Sequence, residues 1–299
     1  MSKNKGVLDS SSLSGLRWSV GRRLCFIDFR LQWYGKINRS DLVDEFQISI
    51  PQASNDLKRY REAAPRNLRY NKSEKCYYAS NKFEPRFGTD SSESYLSQLL
   101  SVSMGMRKLE DSFLAWRPPH DSVQIPDRKI STRVLKALLG SIHGQMAMRC
   151  RYQSMGRPDP SERVISPVAL ASNGLRWHVR AYCHEHEEFR DFVCSRIVNA
   201  DIAGPSKINP LDDEAWYTFV NVRIGPDPRL SPSQRHAIEF DYEMEQGERQ
   251  YSIRAALLFY FLKSLGLEER PADYPAKWQQ IILLNREELI EDLGASALP

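Results

Sequence analysis

Between Met148 and Ile202 the chain alternates in polarity over four successive segments: Met148 to Met155, Arg163 to Ala171, Leu175 to His184 and Phe189 to Ile202. A period of two puts neighbouring side chains on opposite faces of a strand, so this stretch cannot be helical. The breaks between segments are turn-forming: Gly156-Arg157-Pro158-Asp159, Ser172-Asn173-Gly174 and Glu185 to Glu188. Short strands in series with turns this tight imply a small antiparallel barrel or a strongly bent sheet. A helix, Ser131 to His143, is expected just before it.

The N-terminal part has the other period. From Leu16 to Tyr34, the residues Leu24, Ile27, Leu31 and Tyr34 recur at helical spacing, giving a first helix with one buried stripe that Gly35 ends. Ser40 is expected to cap a second helix with Leu42, Val43 and Phe46 inward. Ser49 is expected to cap a third, whose first turn accepts Pro51 because an N–H there would be unpaired anyway. Ala53, Leu57 and Tyr60 share one face of that helix. Gln52, Asn55 and Arg59 share another, flanked by Ser54 and Lys58. Next, Leu68 to Tyr70 and Cys76 to Tyr78 alternate around a polar turn, Asn71 to Glu74, with Arg69, Lys72 and Lys75 near the tip.

Three short helices and a basic hairpin make a winged helix-turn-helix, which lays its third helix in the major groove of DNA. Gln and Asn suit adenine edges, while Lys and Arg suit guanine and phosphate. The candidate DNA-binding set is Arg39, Ser40, Gln52, Ser54, Asn55, Lys58, Arg59, Arg69, Lys72 and Lys75. Charge supports it. Formal net charge is +4 over 299 residues. Residues 1–82 hold 16 Lys+Arg against 8 Asp+Glu, a net of +8, so the remainder carries −4. A basic quarter of this kind marks a polyanion partner. Winged helices also serve as protein-docking modules, and a gel shift separates the two.

Other classes are disfavoured. The polar, Ser-rich Met1 to Ser14 lacks the apolar core of a secretion signal, and the longest apolar run, Ala255 to Leu262, is too short to span a bilayer. Five cysteines without a C-x-x-C pair point to a reducing compartment. A cytoplasmic protein without a cofactor or membrane partner is expected. No phosphate-binding or nucleotide-binding glycine loop and no G-x-S-x-G or H-E-x-x-H motif occurs. Cys183-His184-Glu185-His186 superficially suggests a metal, but at most three ligands can be named where a closed site needs four. A metal-dependent nucleic-acid enzyme is thus the minor alternative.

Within the alternating region, His178, Arg180 and Tyr182 share one strand face, and Arg190, Phe192, Cys194 and Arg196 share another. If those faces coincide, they form an anion-accepting, base-stacking surface. The alternative is a set of ion pairs with Glu187, Glu188 and Asp191, and alternation alone does not choose. Residues 209–299 read as a further small α/β unit: a strand at Tyr217 to Ile224, a helix start at Ser231-Pro232, a helix from Arg254 to Leu265, a strand from Trp278 to Leu284 and a closing helix from Arg286. Its apolar content without a catalytic pattern suits dimerisation.

Taken in order, these segments resemble the WYL-domain transcription regulators found with bacterial phage-defence systems, of the BrxR and CapW type. Trp177-His178-Val179, within Arg176 to Cys183, stands where the family has its eponymous Trp-Tyr-Leu. Arg190 to Ile197 is similar to its downstream strand, and Arg163 to Pro167 to its second strand. Pro51 to Ser54, Asp56-Leu57, Ala64 to Leu68 and Lys75 to Tyr77 resemble the winged helix. Gly225 to Pro228, Leu230-Ser231 and Gln234-Arg235 resemble the start of the C-terminal WCX extension. The resemblance implies an Sm-like five-stranded barrel and a homodimer on an inverted-repeat operator of double-stranded DNA. It also implies repression of a defence operon, with activation as the alternative sign. By residue match the family's ligand site would be Tyr152, Ser154, His178, Arg180, Arg190 and Arg196, with a nucleotide or single-stranded nucleic acid as effector. The fold class is α+β and multidomain, with a winged helix-turn-helix over 1–82, a helical linker over 83–129, a WYL domain over 130–205 and a WCX dimerisation domain over 206–299.

Overall fold

The computed structural model describes residues 17–88, 91–126, 128–268, 274–294 and 298. Met1 to Ser14 and Leu16, named above, lie outside the described residues. The chain divides into two compact units, one through Gln124 and one from Ile125.

In the first unit, helices α1 (Trp18–Tyr34), α2 (Arg39–Phe46) and α3 (Ile50–Ala63) pack around Leu24, Ile27, Leu42, Leu57 and Tyr60, all essentially inaccessible. Full burial of each such aliphatic side chain stabilises by roughly 1.5–3 kcal/mol. Gly35 takes the left-handed conformation (φ 70°) that ends α1, as expected from its lack of a Cβ. The cap of α2 differs from expectation. Asn38 rather than Ser40 holds it, because the Asn38 side chain accepts the Asp41 N–H at 3.0 Å while the Asp41 carboxylate accepts the Asn38 N–H at 2.7 Å. Ser40 lies inside the first turn and donates to Asn38. Ser49 caps α3 as expected, with Pro51 in the first turn.

The wing consists of β2 (Leu68–Asn71) and β3 (Cys76–Ala79), joined by β1 (Lys36–Ile37) as a third antiparallel strand on the far side of β3. The stretch expected as a linker packs back onto α1. Helix α4 (Ser92–Ser103) sets Leu99 beside Phe29 and Leu114, and the Tyr95 ring stacks on Phe29 at 5.9 Å. Just before α4, the buried Asp28 carboxylate accepts the N–H groups of Arg86 and Gly88 at 2.8 Å each, that of Phe87, and the Tyr60 hydroxyl. Burial raises the Asp28 pKa, and those hydrogen bonds hold it back toward the charged form.

In the second unit, α5 (Thr132–Gly144) packs Val134 and Leu138 onto a five-stranded antiparallel sheet. Its strands are β4 (Met146–Tyr152), β5 (Ser161–Ser172), β6 (Trp177–Cys183), β7 (Glu188–Val193) and β8 (Ile197–Pro205), ordered β7-β6-β5-β4-β8. The fourth alternating segment is thus two strands, divided by a 3₁₀ turn at Cys194–Arg196. Irregularities in register, one of them beside Pro167, bend the sheet. The chain continues through α6 (Glu214–Tyr217), β9 (Phe219–Pro226), α7 (Pro232–Asp241), β10 (Arg249–Arg254), α8 (Leu258–Ser264), β11 (Ile281–Leu283) and α9 (Arg286–Leu293). Strands order β10-β9-β11, and Val222, Ile224, Leu258 and Leu262 fill the core beneath them. Ser231 caps α7 in a reciprocal pairing with Gln234. Strand β10 was not expected, and Arg254 closes it instead of starting a helix.

Candidate nucleic-acid interface and barrel face

On α3 the side chains of Asn55, Lys58 and Arg59 are exposed along one stripe, opposite the buried Ala53, Leu57 and Tyr60. Lys58 approaches Glu62 at 3.9 Å, an exposed pair of little energetic consequence. Gln52 and Ser54 sit differently. The Ser54 hydroxyl is turned onto its own helix, donating to the Ile50 carbonyl at 2.9 Å. Gln52 is half-buried and donates through Nε2 to Asp56 at 3.1 Å. Asp56 is itself 1% exposed and held by Arg23 of α1, with Nε 2.6 Å and Nη2 3.3 Å from its two oxygens. A buried aspartate on this helix gave no signal in the hydrophobic pattern.

Arg39 and Ser40 are exposed at the start of α2. In the wing, Arg69, Lys72 and Lys75 are exposed. The turn is built by Asn71, whose side-chain oxygen accepts the N–H groups of Ser73 and Glu74, and Lys75 completes it at φ 52°. Arg69, Lys72 and Tyr78 line a shallow hollow that Glu74 also borders, held there by Asn71 and by the Tyr78 hydroxyl. Exposed Lys36 adds a cation that went unnoticed because the two-residue β1 has no alternation to reveal it.

The barrel does not assemble the face expected from its two strands. Val179, Ala181 and Cys183 point into the core, so His178 and Arg180 occupy the other face of β6. Opposed residues of paired strands share a face. Arg180 opposes Asp191 and Ala181 opposes Arg190, so Arg190 and Phe192 lie on the core side, away from Arg180. Arg190 is solvent-exposed at the strand start, paired with Glu188. Cys194 and Arg196 fall in the 3₁₀ turn, where alternation lapses. Tyr152 is a core residue against Phe192, its oxygen accepting the Val193 N–H at 3.3 Å. Half-buried Ser154 offers its carbonyl to Gln153.

The His178–Arg180 face is covered by the following segment of the chain. Asp213 takes the Arg180 fork at 2.7 Å (Nε) and 2.9 Å (Nη2), while Asp191 stands 3.3 Å from Nη1. Burial works against the Arg180 charge, and the two carboxylates outweigh it, so its pKa is raised. The Tyr260 hydroxyl of α8 lies 3.1 Å from both His178 Nδ1 and Asp191 Oδ2. With one proton to give, the hydroxyl donates to the carboxylate and His178 donates from Nδ1, a tautomer inferred from these partners. That leaves Nε2 as a buried acceptor without a partner among the described residues. Burial lowers the His178 pKa, aided by Arg176 and Arg196 and opposed by Asp191, so the ring is neutral near pH 7. Of the six residues matched to the family's ligand site, His178 and Arg196 are thus within electrostatic reach of each other, Arg180 is committed to carboxylates, and Arg190 lies elsewhere.

The His184 and His186 rings turn to separate partners, Ser166 at 2.9 Å and Cys183 at 3.3 Å. Among the described residues no group of three His, Cys, Asp or Glu side chains is arranged for a metal ion, and no helix is long and apolar enough to cross a membrane.

Three family profiles match in sequence. Residues 19–101 match the BrxR transcriptional regulator winged helix-turn-helix domain, 133–202 the WYL domain, and 219–289 the BrxR transcriptional regulator C-terminal dimerization domain. Curated relatives named DNA-binding transcriptional repressor CapW align over nearly the full length. The protein of Escherichia coli strain KTE188 is 42% identical over 92% of each chain. Those of Stenotrophomonas maltophilia (41%) and Pseudomonas aeruginosa (42%) each align over 95% of their own length. Among solved structures, proteasome accessory factor B/C of Arthrobacter aurescens aligns over 93% of this chain and 48% of its own, at 16% identity and a TM-score of 0.26, too slight a likeness to add weight. The chain therefore belongs to the CapW and BrxR family of WYL-domain DNA-binding transcriptional repressors, a family of regulators rather than enzymes.

Proposed function

We propose that this protein is a cytoplasmic homodimeric repressor of a phage-defence operon, reading an inverted repeat with α3 while the wing grips the backbone. The observation that carries the reading is the exposed Asn55-Lys58-Arg59 stripe, set on a helix with a capped N-terminus and followed by the exposed wing cations Arg69, Lys72 and Lys75. Groove-reading helices present base edges with this chemistry, and cations on a neighbouring hairpin fix the register through phosphates. Residues 209–299 supply the dimer contact in this reading, and two-fold symmetry of the protein then matches two-fold symmetry of the operator. The test is fluorescence anisotropy on the region upstream of the protein's own operon, together with sedimentation at micromolar concentration. Asn55→Ala should lower affinity for that region more than for unrelated DNA. Equal loss on both, or a monomer in sedimentation, overturns the reading.

We further propose that an anionic effector, a nucleotide or short single-stranded nucleic acid, relieves repression at the barrel. Arg176 and Arg196 supply the attraction, as neither guanidinium is paired with a carboxylate among the described residues, and both stand within electrostatic reach of His178. An effector that also recruits Arg180 has to displace Asp213. It shifts the operator equilibrium only by its preference for the displaced arrangement.

A further inference from the structure

Beneath the recognition helix lies a polar cluster that a DNA contact surface does not require. Arg23 and Asp56 are 8% and 1% exposed, and Oδ1 of Asp56 receives both Arg23 Nη2 and the amide of Gln52, one helical turn earlier. A buried ion pair adds little to stability over apolar residues of similar volume, so its presence here calls for another role. The contact with Asp56 fixes the Gln52 amide, because only its nitrogen end can donate to a carboxylate. One Nε2 hydrogen is used. The other hydrogen and Oε1 have no partner among the described residues and supply the donor and the acceptor that N7 and N6 of adenine call for. Without Asp56 the amide turns about its last bond and its two ends exchange.

We infer that Asp56, itself held by Arg23, is a positioning residue that orients Gln52 to read one base pair in each half-site. The inference rests on α3 as the reader and on Gln52 as a base contact. The test is a panel of operators substituted one base pair at a time, measured by anisotropy on the full chain. Gln52→Ala identifies the pair that Gln52 reads, by flattening discrimination there about tenfold. Arg23→Met with Asp56→Leu, a swap that keeps volume and removes both charges, should flatten the same pair to a similar degree and spare the others. Adding Gln52→Ala to it should bring no further loss. Should that pair of changes unfold the protein, Asp56→Asn serves instead: its one oxygen stays with Arg23 Nε, the shorter contact at 2.6 Å, its amide nitrogen then faces the Gln52 amide nitrogen, donor against donor, and the same pair should flatten. Undiminished discrimination in a folded variant, or equal weakening at every position, makes Asp56 a structural residue and overturns the inference. A Gln52→Ala protein with an unaltered profile overturns the base contact itself, a separate failure.

Discussion

Replacing Asp213 by asparagine removes one negative charge and little else. Asn is as good a cap as Asp for α6, where the side chain accepts the Trp216 N–H, so helix capping is preserved while Arg180 loses its bidentate partner. The Asp213 side chain is 1% exposed and that of Arg180 10%, so water does little to screen the loss. Removing one partner of a buried ion pair costs about 3–5 kcal/mol. The lower end applies because Asp191 still faces Nη1 at 3.3 Å. In a unit of this size 1 kcal/mol moves the melting midpoint by about 2–4 °C, so the variant should melt roughly 6–12 °C below the parent. Calorimetry measures this, with hydrogen exchange across β6 and α8 as the local readout. Arg190→Ala is the comparison, because its pair with Glu188 is solvent-exposed and such pairs contribute about 0–1 kcal/mol. If Asp213→Asn melts no lower than Arg190→Ala, the Asp213 charge does not hold Arg180 and the covered face needs another explanation.

Three further outcomes are expected. The folded His178 pKa is lowered, so the unfolded chain takes up its proton first as pH falls; stability should be full above about pH 6.5 and decline below it. Denaturation midpoints at pH 7.5 and 5.5 check this, and the decline should shrink in His178→Asn. Lys72→Ala and Lys75→Ala should each lower the salt slope of DNA binding by about one unit without changing base preference, read from affinities at several salt concentrations. Tyr60→Phe removes the hydroxyl that donates to the buried Asp28 and should cost about 1.5–3 kcal/mol in urea unfolding; no measurable loss would show that the N–H groups of residues 86–88 suffice for that carboxylate.

The reader was legible because its signals are local. The stripe Leu24, Ile27 and Leu31 settles α1, Ser49 and Pro51 settle the start of α3, and alternation on either side of Asn71 settles the wing. What escaped were contacts between residues distant in sequence. Asn38 and Ser40 are both competent caps, and the choice falls to Asn38 because Asp41 three residues later can reciprocate. Residues 83–114 have the composition of a linker, yet Asp28, about 60 positions earlier, pins Arg86 to Gly88, and Phe29 receives Leu99 and Leu114. Nothing in the local pattern of either segment announces the other.

The barrel face carries the same lesson further. A strand that alternates cations with Val179 and Ala181 reads as one wall in water, because an arginine is expected on the solvated side. Arg180 and His178 are in fact 9% and 2% exposed, since Asp213 and Tyr260 arrive from 33 and 82 residues away to cover them. The opposite strand misled for a different reason: Arg190 and Arg196 share parity only while the strand continues, and the 3₁₀ turn at Cys194–Arg196 ends it. Of the two readings that alternation left open, the ion pairs account for Arg180 and Arg190, through Asp191, Asp213 and Glu188. The electropositive remainder is Arg176 and Arg196 around a neutral histidine. An effector binding there would meet a face whose strongest anion site already holds a carboxylate from the segment leading into the C-terminal part of the chain. Competition with Asp213 is therefore the step by which occupancy of the barrel would reach residues 209–299, and Asp213→Asn should make that step easier, tightening the binding of a short single-stranded oligonucleotide. Unchanged oligonucleotide affinity in this variant would separate the effector site from Arg180 altogether.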